Sequence, residues 1–207
     1  MRTWWTAPDK GALFVVSGPS GSGKTTLLRE AFAALPGLEF SVSATTRAAR
    51  AEEHDGVDYH YVTHDRFRSM LGEHALLEHA QVYGNFYGTP RAPVERAIAE
   101  GRSIVLDIDV QGASQVRVAY PEAVTVFILP PSLSAIAARL RARGQDDEDV
   151  IQRRILEAEL QLAQAHLYDF LVMNDDLAGA HRQLQSIFTA ELLRRERRGS
   201  WIAAARG

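Results

Sequence analysis

The chain has 207 residues, with 23 basic and 26 acidic side chains, a net charge of −3, and no cysteine. These figures suit one domain with a sizeable core, and they exclude disulfides, thiolate metal sites and a strongly basic nucleic-acid surface. No apolar run approaches the roughly 18–20 residues of a membrane span, and residues 1–11 lack the apolar stretch of a signal peptide, so the expected setting is cytoplasmic.

Residues 12–17, ALFVVS, are a short apolar run that suits a strand buried on both faces. Gly18-Pro19-Ser20-Gly21-Ser22-Gly23-Lys24-Thr25 follows and matches G-x-x-x-x-G-K-[ST]. Glycines at this spacing let backbone N–H groups turn inward around a phosphate, and the helix beyond adds its positive N-terminus. In such a loop the lysine reaches the β- and γ-phosphates and the hydroxyl of the last residue ligates Mg²⁺. Only two of the basic residues are lysine, Lys10 and Lys24. A chain that uses Arg almost everywhere keeps Lys24 where a compact ammonium is wanted.

Leu27, Leu28, Ala31, Phe32 and Leu35 have helical spacing, and Pro36-Gly37 ends that helix, predicted over 24–34. A second strand is predicted over 38–43. Residues 44–89 then break the pattern with tyrosines, arginines and alternating runs such as DYHYV, which reads as a small β-rich insertion. Further strands are predicted at 103–108, 124–129 and 169–173. Helices are predicted at about 90–100, 132–142, 149–167 and 176–197, with Ser132 an N-cap and RGQDDED a charged hinge. The arginine-rich run 194–198 reads as the solvated end of the last helix. His60 and His64 fit no metal-ligand pattern. Alternation of strand and helix points to an α/β fold with a parallel sheet covered on both faces.

The segments SGPSGSGKTTLL, FSVSATTRAAR, GVDYHYV, LLEHAQVYGNFYGT, LDIDVQG, RLRARG and VMNDD occur in this order. Together they resemble the guanylate kinase family from about residue 13 to 190. The resemblance implies a P-loop NTPase core with a five-stranded sheet over 12–43 and 90–198. It also implies a lid at about 139–154, a GMP-binding insertion over 44–89, and terminal extensions at 1–11 and 199–207. The implied reaction is Mg²⁺-dependent phosphoryl transfer from ATP to GMP. The implied partners are these nucleotides, with no nucleic acid and no membrane.

By the same resemblance, Arg47, Arg50, Tyr59 and Tyr87 grip the GMP phosphate, as guanidinium forks suit phosphate oxygens. Glu78 faces the guanine edge, helped by Ser43 and Thr89. A carboxylate accepts from guanine N1–H and N2–H₂ side by side, whereas adenine presents an acceptor at N1 and is repelled. Asp107 and Asp109, two apart at a strand end, are expected on one face looking into the cleft, Asp107 ordering Mg²⁺ through water or supporting the phosphate loop and Asp109 lying near the acceptor nucleotide. Arg139, Arg143 and Arg154 are expected to close over the phosphates, and Asn174 to line the adenine site. Two rivals stand against this reading: a kinase of another phosphorylated small molecule, and an inactive protein-binding module of the same family. Intact Gly23, Lys24 and Thr25 weigh against the second.

Overall fold

The computed structural model describes residues 8–35, 37–82, 84–144 and 147–206, the side chain of Arg143 excepted. The apolar run of the first strand becomes β1 (Leu13–Ser17), buried along its whole length. It lies at the centre of a five-stranded sheet of order β2-β7-β1-β8-β9. Here β2 is Leu38–Phe40, β7 Ser103–Asp107, β8 Val124–Leu129 and β9 Phe170–Met173. Every pairing in this sheet is parallel. Alternation along β1 feeds two cores. Phe14 and Val16 pack on one face against Leu27, Leu28 and Leu35 of helix α1 (Lys24–Ala34) and its following turn, and against Leu184 and Phe188 of α7 (Leu177–Leu192). Leu13 and Val15 pack on the other face against Val94 and Ile98 of α3 (Arg91–Ala99) and Val116 of α4 (Val110–Ala119). The Phe14 and Phe188 rings meet at 4.5 Å between centroids.

Between β2 and α3 a second sheet forms, of order β4-β3-β6-β5. It consists of β3 (Ala44–Thr45), β4 (His60–Tyr61), β5 (Leu76–Val82) and β6 (Asn85–Pro90). Helix α2 (His64–Gly72) closes it, Phe67 and Met70 packing on Ala44 and Leu76. The insertion is therefore not purely β. Thr63 caps α2 by accepting from the Arg66 amide, and His64 falls in the helix while His60 falls in a strand. Helices α5 (Leu133–Arg143) and α6 (Glu148–Leu162) pack on each other through Ile136, Leu140 and Ile151. The exposed pair Arg141–Glu148 spans the hinge between them. Gln145 and Asp146 of that hinge lie outside the described residues.

Four expectations need correction. The strand predicted over 38–43 stops at Phe40. The strand predicted over 103–108 stops at Asp107, and α4 follows from Val110, so Asp109 caps a helix and does not end a strand. The helix predicted to 197 stops at Leu192. The arginine run beyond it is solvated only in its first half: Arg194 and Arg195 are exposed, but Arg197 and Arg198 are both buried. Arg197 donates to the Gly11 carbonyl at 2.6 Å, and Arg198 donates to the Leu192 carbonyl at 2.8 Å. The run thus fastens the segment leading into β1. Beyond it, residues Gly199–Arg206 form α8, tied back by the Ser200 amide donating to Asp9 at 2.7 Å.

Ser132 does cap α5, its hydroxyl accepting from the Ala135 amide at 3.1 Å. Ser132→Ala leaves that amide without its partner and is expected to cost about 1 kcal/mol. The loss should lower the melting temperature by about 2–4 °C in a calorimetric scan.

Candidate active site

The G-x-x-x-x-G-K-T loop joins the carboxyl end of central β1 to the first turn of α1. Gly23 sits there with φ of +87°, and a Cβ at this position would lie 2.2 Å from Asn174 Nδ2. Only glycine satisfies both the left-handed backbone and the close approach. Asn174, buried just after β9, donates from Nδ2 to the Ser22 carbonyl at 2.7 Å. Arg139 of α5 donates to the Gly21 carbonyl at 3.0 Å and to the Asn174 carbonyl at 3.1 Å. Two residues distant in sequence therefore brace the loop from outside. Asn174, the residue expected at the adenine site, thus also holds the loop with its side chain.

Lys24 extends from the loop to Asp107 at the end of β7, Nζ to Oδ1 2.6 Å, both side chains about one-fifth exposed. Asp109 lies beside it by a route other than the expected one. The strand ends at Asp107, and Asp109 is the N-cap of α4, accepting from the Gly112 amide at 2.9 Å. Both carboxylates nevertheless line one cleft of about 360 Å³ with Lys24, Ser43, Arg50, Tyr59, Glu78, Tyr87 and Arg154. The α/β core supplies one wall and the second sheet the other. Thr25 and Asp107 line an adjoining space of about 510 Å³ with Arg29, Glu53 and Tyr59.

Glu78 is the deepest charge in the cleft, 4% exposed on β5. Its Oε1 accepts from the Thr89 hydroxyl at 2.7 Å across the β5–β6 pair. Burial pushes its carboxyl up to about 7, Thr89 pulling against that and the neighbouring Asp109 adding to it. Arg47 is drawn into a fork with Glu53, two bonds of 2.9 Å each. The same Glu53 accepts from the Arg50 amide and the Tyr61 hydroxyl, 2.8 Å each. These contacts, led by Arg47, hold its carboxyl at about 2. The Arg47 guanidinium lies 5.4 Å from the centre of the Tyr59 ring. Burial and the nearby Asp107 hold the Tyr59 phenol above its ordinary range.

The expected residues that come together in the cleft are therefore Lys24, Ser43, Arg50, Tyr59, Glu78, Tyr87, Asp107, Asp109 and Arg154, with Thr89 beneath Glu78. Arg139 and Asn174 stand behind the loop, Arg47 stands to one side on Glu53, and the Arg143 side chain lies outside the described residues. Sequence reasoning did not find Phe40, an exposed ring at the end of β2 that lines both spaces. Its exposure inside an apolar strand pattern is not readable locally. A cavity of about 570 Å³ lies at the opposite end of the sheet, between Lys10, Glu122, Asp169, Glu191 and Arg197. Its carboxylates are committed: Glu122 to Lys10 at 2.7 Å, Glu191 to Arg194 at 2.5 Å, and Asp169 to Thr125 at 2.7 Å.

A parallel sheet with a glycine-rich loop at its central strand, and a second nucleotide-sized cleft facing that loop, defines a P-loop nucleotide kinase. The family model for guanylate kinase matches residues 10–191. The chain is 49% identical over 198 residues to the guanylate kinase of Neisseria meningitidis serogroup A, covering 96% of this chain and 97% of that one. It is 48% identical to the guanylate kinase of Carboxydothermus hydrogenoformans, covering 91% and 92%. The crystal structure of guanylate kinase from Anaplasma phagocytophilum superposes with a TM-score of 0.75 at 31% identity, over 93% of this chain and 92% of that one. The chain belongs to the guanylate kinase family.

Among the described residues no helix is long and apolar enough to cross a membrane, and no cluster of three or more His, Asp or Glu is arranged to hold a metal by itself.

Proposed function

We propose that this chain transfers the terminal phosphoryl group of ATP to GMP, and to dGMP, giving ADP and GDP or dGDP, in the cytoplasm. One observation carries the reading: Lys24 of the phosphate loop and the buried carboxylate Glu78 line the same cleft. The loop 18–25 takes the ATP phosphates on its backbone N–H groups. Lys24 then exchanges Asp107 for phosphate oxygens. Glu78 accepts from the guanine N1–H and N2–H₂, with Ser43 and Thr89 beside it. Arg50, Tyr59 and Tyr87 hold the GMP phosphate, and Arg47 joins them by releasing Glu53.

The acceptor is already anionic, so no side-chain nucleophile is needed, and positioning with charge stabilisation does the chemistry. Arg139, Arg143 and Arg154 supply positive charge from α5 and α6 as those helices close and exclude water. Thr25 and Asp107 present a hydroxyl and a carboxylate to one space, hard oxygen donors of the kind Mg²⁺ takes. They would hold the ion, which supplies charge neutralisation on the transferring phosphates. Among the described residues that line the cleft, none is an obvious reader of the ribose 2′-OH, which supports use of dGMP.

Saturating MgATP is expected to raise the melting temperature by about 5–10 °C, from roughly 2.7 kcal/mol at a hundred times Kd. GMP alone should also raise it. A flat response to both would overturn the reading in favour of a non-catalytic module. Asn174→Ala removes the brace on the Ser22 carbonyl. It should raise KM for ATP about tenfold in initial-rate measurements, with KM for GMP unchanged.

A further inference from the structure

We infer that Gln115 of α4 is a positioning residue for guanine recognition, clamping the strand that carries Glu78. The inference rests on the proposed role of Glu78. Among the described residues, strand β5 is the outer edge of its sheet and pairs only with β6. Its outward backbone groups at His79 have no strand partner, and an edge of this kind needs a cover. Gln115 supplies one. Its Oε1 accepts from the His79 amide at 3.1 Å, and its Nε2 donates to the His79 carbonyl at 2.6 Å. One side-chain amide thus pairs with the strand as a neighbouring residue would, immediately next to Glu78.

The same face of α4 carries Gly112, one turn earlier. A Cβ there would lie 2.3 Å from Glu78 Oε2. The absence of a side chain at 112 lets the Glu78 carboxylate rest against the helix, and Gln115 keeps the strand at that distance. The helix begins at Asp109, which lines the cleft, two residues beyond Asp107. One rigid helix therefore sets the spacing between the carboxylates at the phosphate end and the carboxylate at the base end. Gln115 itself does not line the cleft, so it acts through Glu78 and not by touching substrate.

The test compares Gln115→Met, which keeps the length without the amide, and Gln115→Ala with the unaltered chain. Rates are measured with GMP and with IMP, whose base lacks the exocyclic amine that Glu78 would accept from. Loss of the clamp should raise KM for GMP about tenfold and lower the GMP-over-IMP ratio of kcat/KM by about tenfold. KM for ATP, and turnover at saturating GMP, should stay within about twofold. Gly112→Ala should lower the same GMP-over-IMP ratio by displacing the carboxylate directly, and it carries the test if both Gln115 variants fail to fold. Unchanged KM for GMP and an unchanged ratio would overturn the inference. So would an equal loss with both nucleotides and ATP accompanied by a lower melting temperature, the mark of a structural role alone. If the unaltered chain does not turn over GMP, the Glu78 reading itself fails, a result separate from either.

Discussion

Replacing Lys24 by alanine is expected to lower turnover of GMP by about 10²–10³-fold while leaving the chain folded. The side chain is partly exposed and contributes nothing to either core, so its loss opens no cavity. What it contributes is a single ammonium at the point where the phosphate loop meets the carboxyl end of β7, 2.6 Å from Asp107. Charge placed there in advance needs no reorganisation when negative charge shifts along the transferring phosphoryl group. Arginine would not replace it. The Ser22 carbonyl is held by Asn174 and the Gly21 carbonyl by Arg139, which leaves no freedom for a longer planar fork to find the same spot. Lys24→Arg should therefore remain within about tenfold of Lys24→Ala, as measured by single-turnover rates with both nucleotides saturating.

Glu78→Gln should lower kcat/KM for GMP by about 10²–10³-fold, because it removes the charge from two charge-assisted bonds and turns one acceptor into a donor. The pH profile makes the expectation sharper. The ionised carboxylate is the form that accepts from guanine. Its carboxyl lies at about 7 in the folded chain. In the free enzyme kcat/KM for GMP should therefore rise with pH and level off above about 7, and Glu78→Gln should abolish that inflection.

The effect on stability has the opposite sign. The folded chain holds this proton more tightly than the unfolded chain, whose glutamates titrate near 4.5. Between about pH 4.5 and 7 the folded state binds more protons, so stability falls as pH rises through that window, by about 3 kcal/mol from this group. Above it the cost is constant. Glu78→Gln should flatten the slope and make the substrate-free chain more stable at pH 8 by about 1–3 kcal/mol. A variant that is more stable and less active is the expected outcome for a carboxylate kept buried for recognition. Chemical denaturation at pH 5, 6, 7 and 8 would check it.

The sequence was legible where one local signal sufficed. The apolar run at 12–17, the glycines of the loop and the cap at Ser132 each fix an element within a few residues, and β1, α1, β8 and α5 fall where expected. Helix α4 was not legible, because Gly112 sits where a helix former should be and Val110, Val116 and Val118 suggest strand. Gly112 is there for the approach of Glu78, a contact between residues 34 positions apart. The same reason hides Gln115, whose partner is 36 residues away, and Arg197, whose partner is 186 residues away and makes the end of a charged run a buried tie. In the cleft, residue types and motif order pointed to Lys24, Glu78 and Asp107. Which arginines face the cleft and which brace it was not in the pattern. Arg139 turns to the loop carbonyls and Arg47 to Glu53, and both choices depend on neighbours brought in by the fold.

The most direct test is ADP release from MgATP in the presence of GMP, dGMP, AMP, CMP and UMP in turn. The expected result is turnover with GMP and dGMP alone, lost in Lys24→Ala. Turnover with AMP or a pyrimidine at a rate comparable to GMP, or none with any nucleotide by the folded chain, would contradict it.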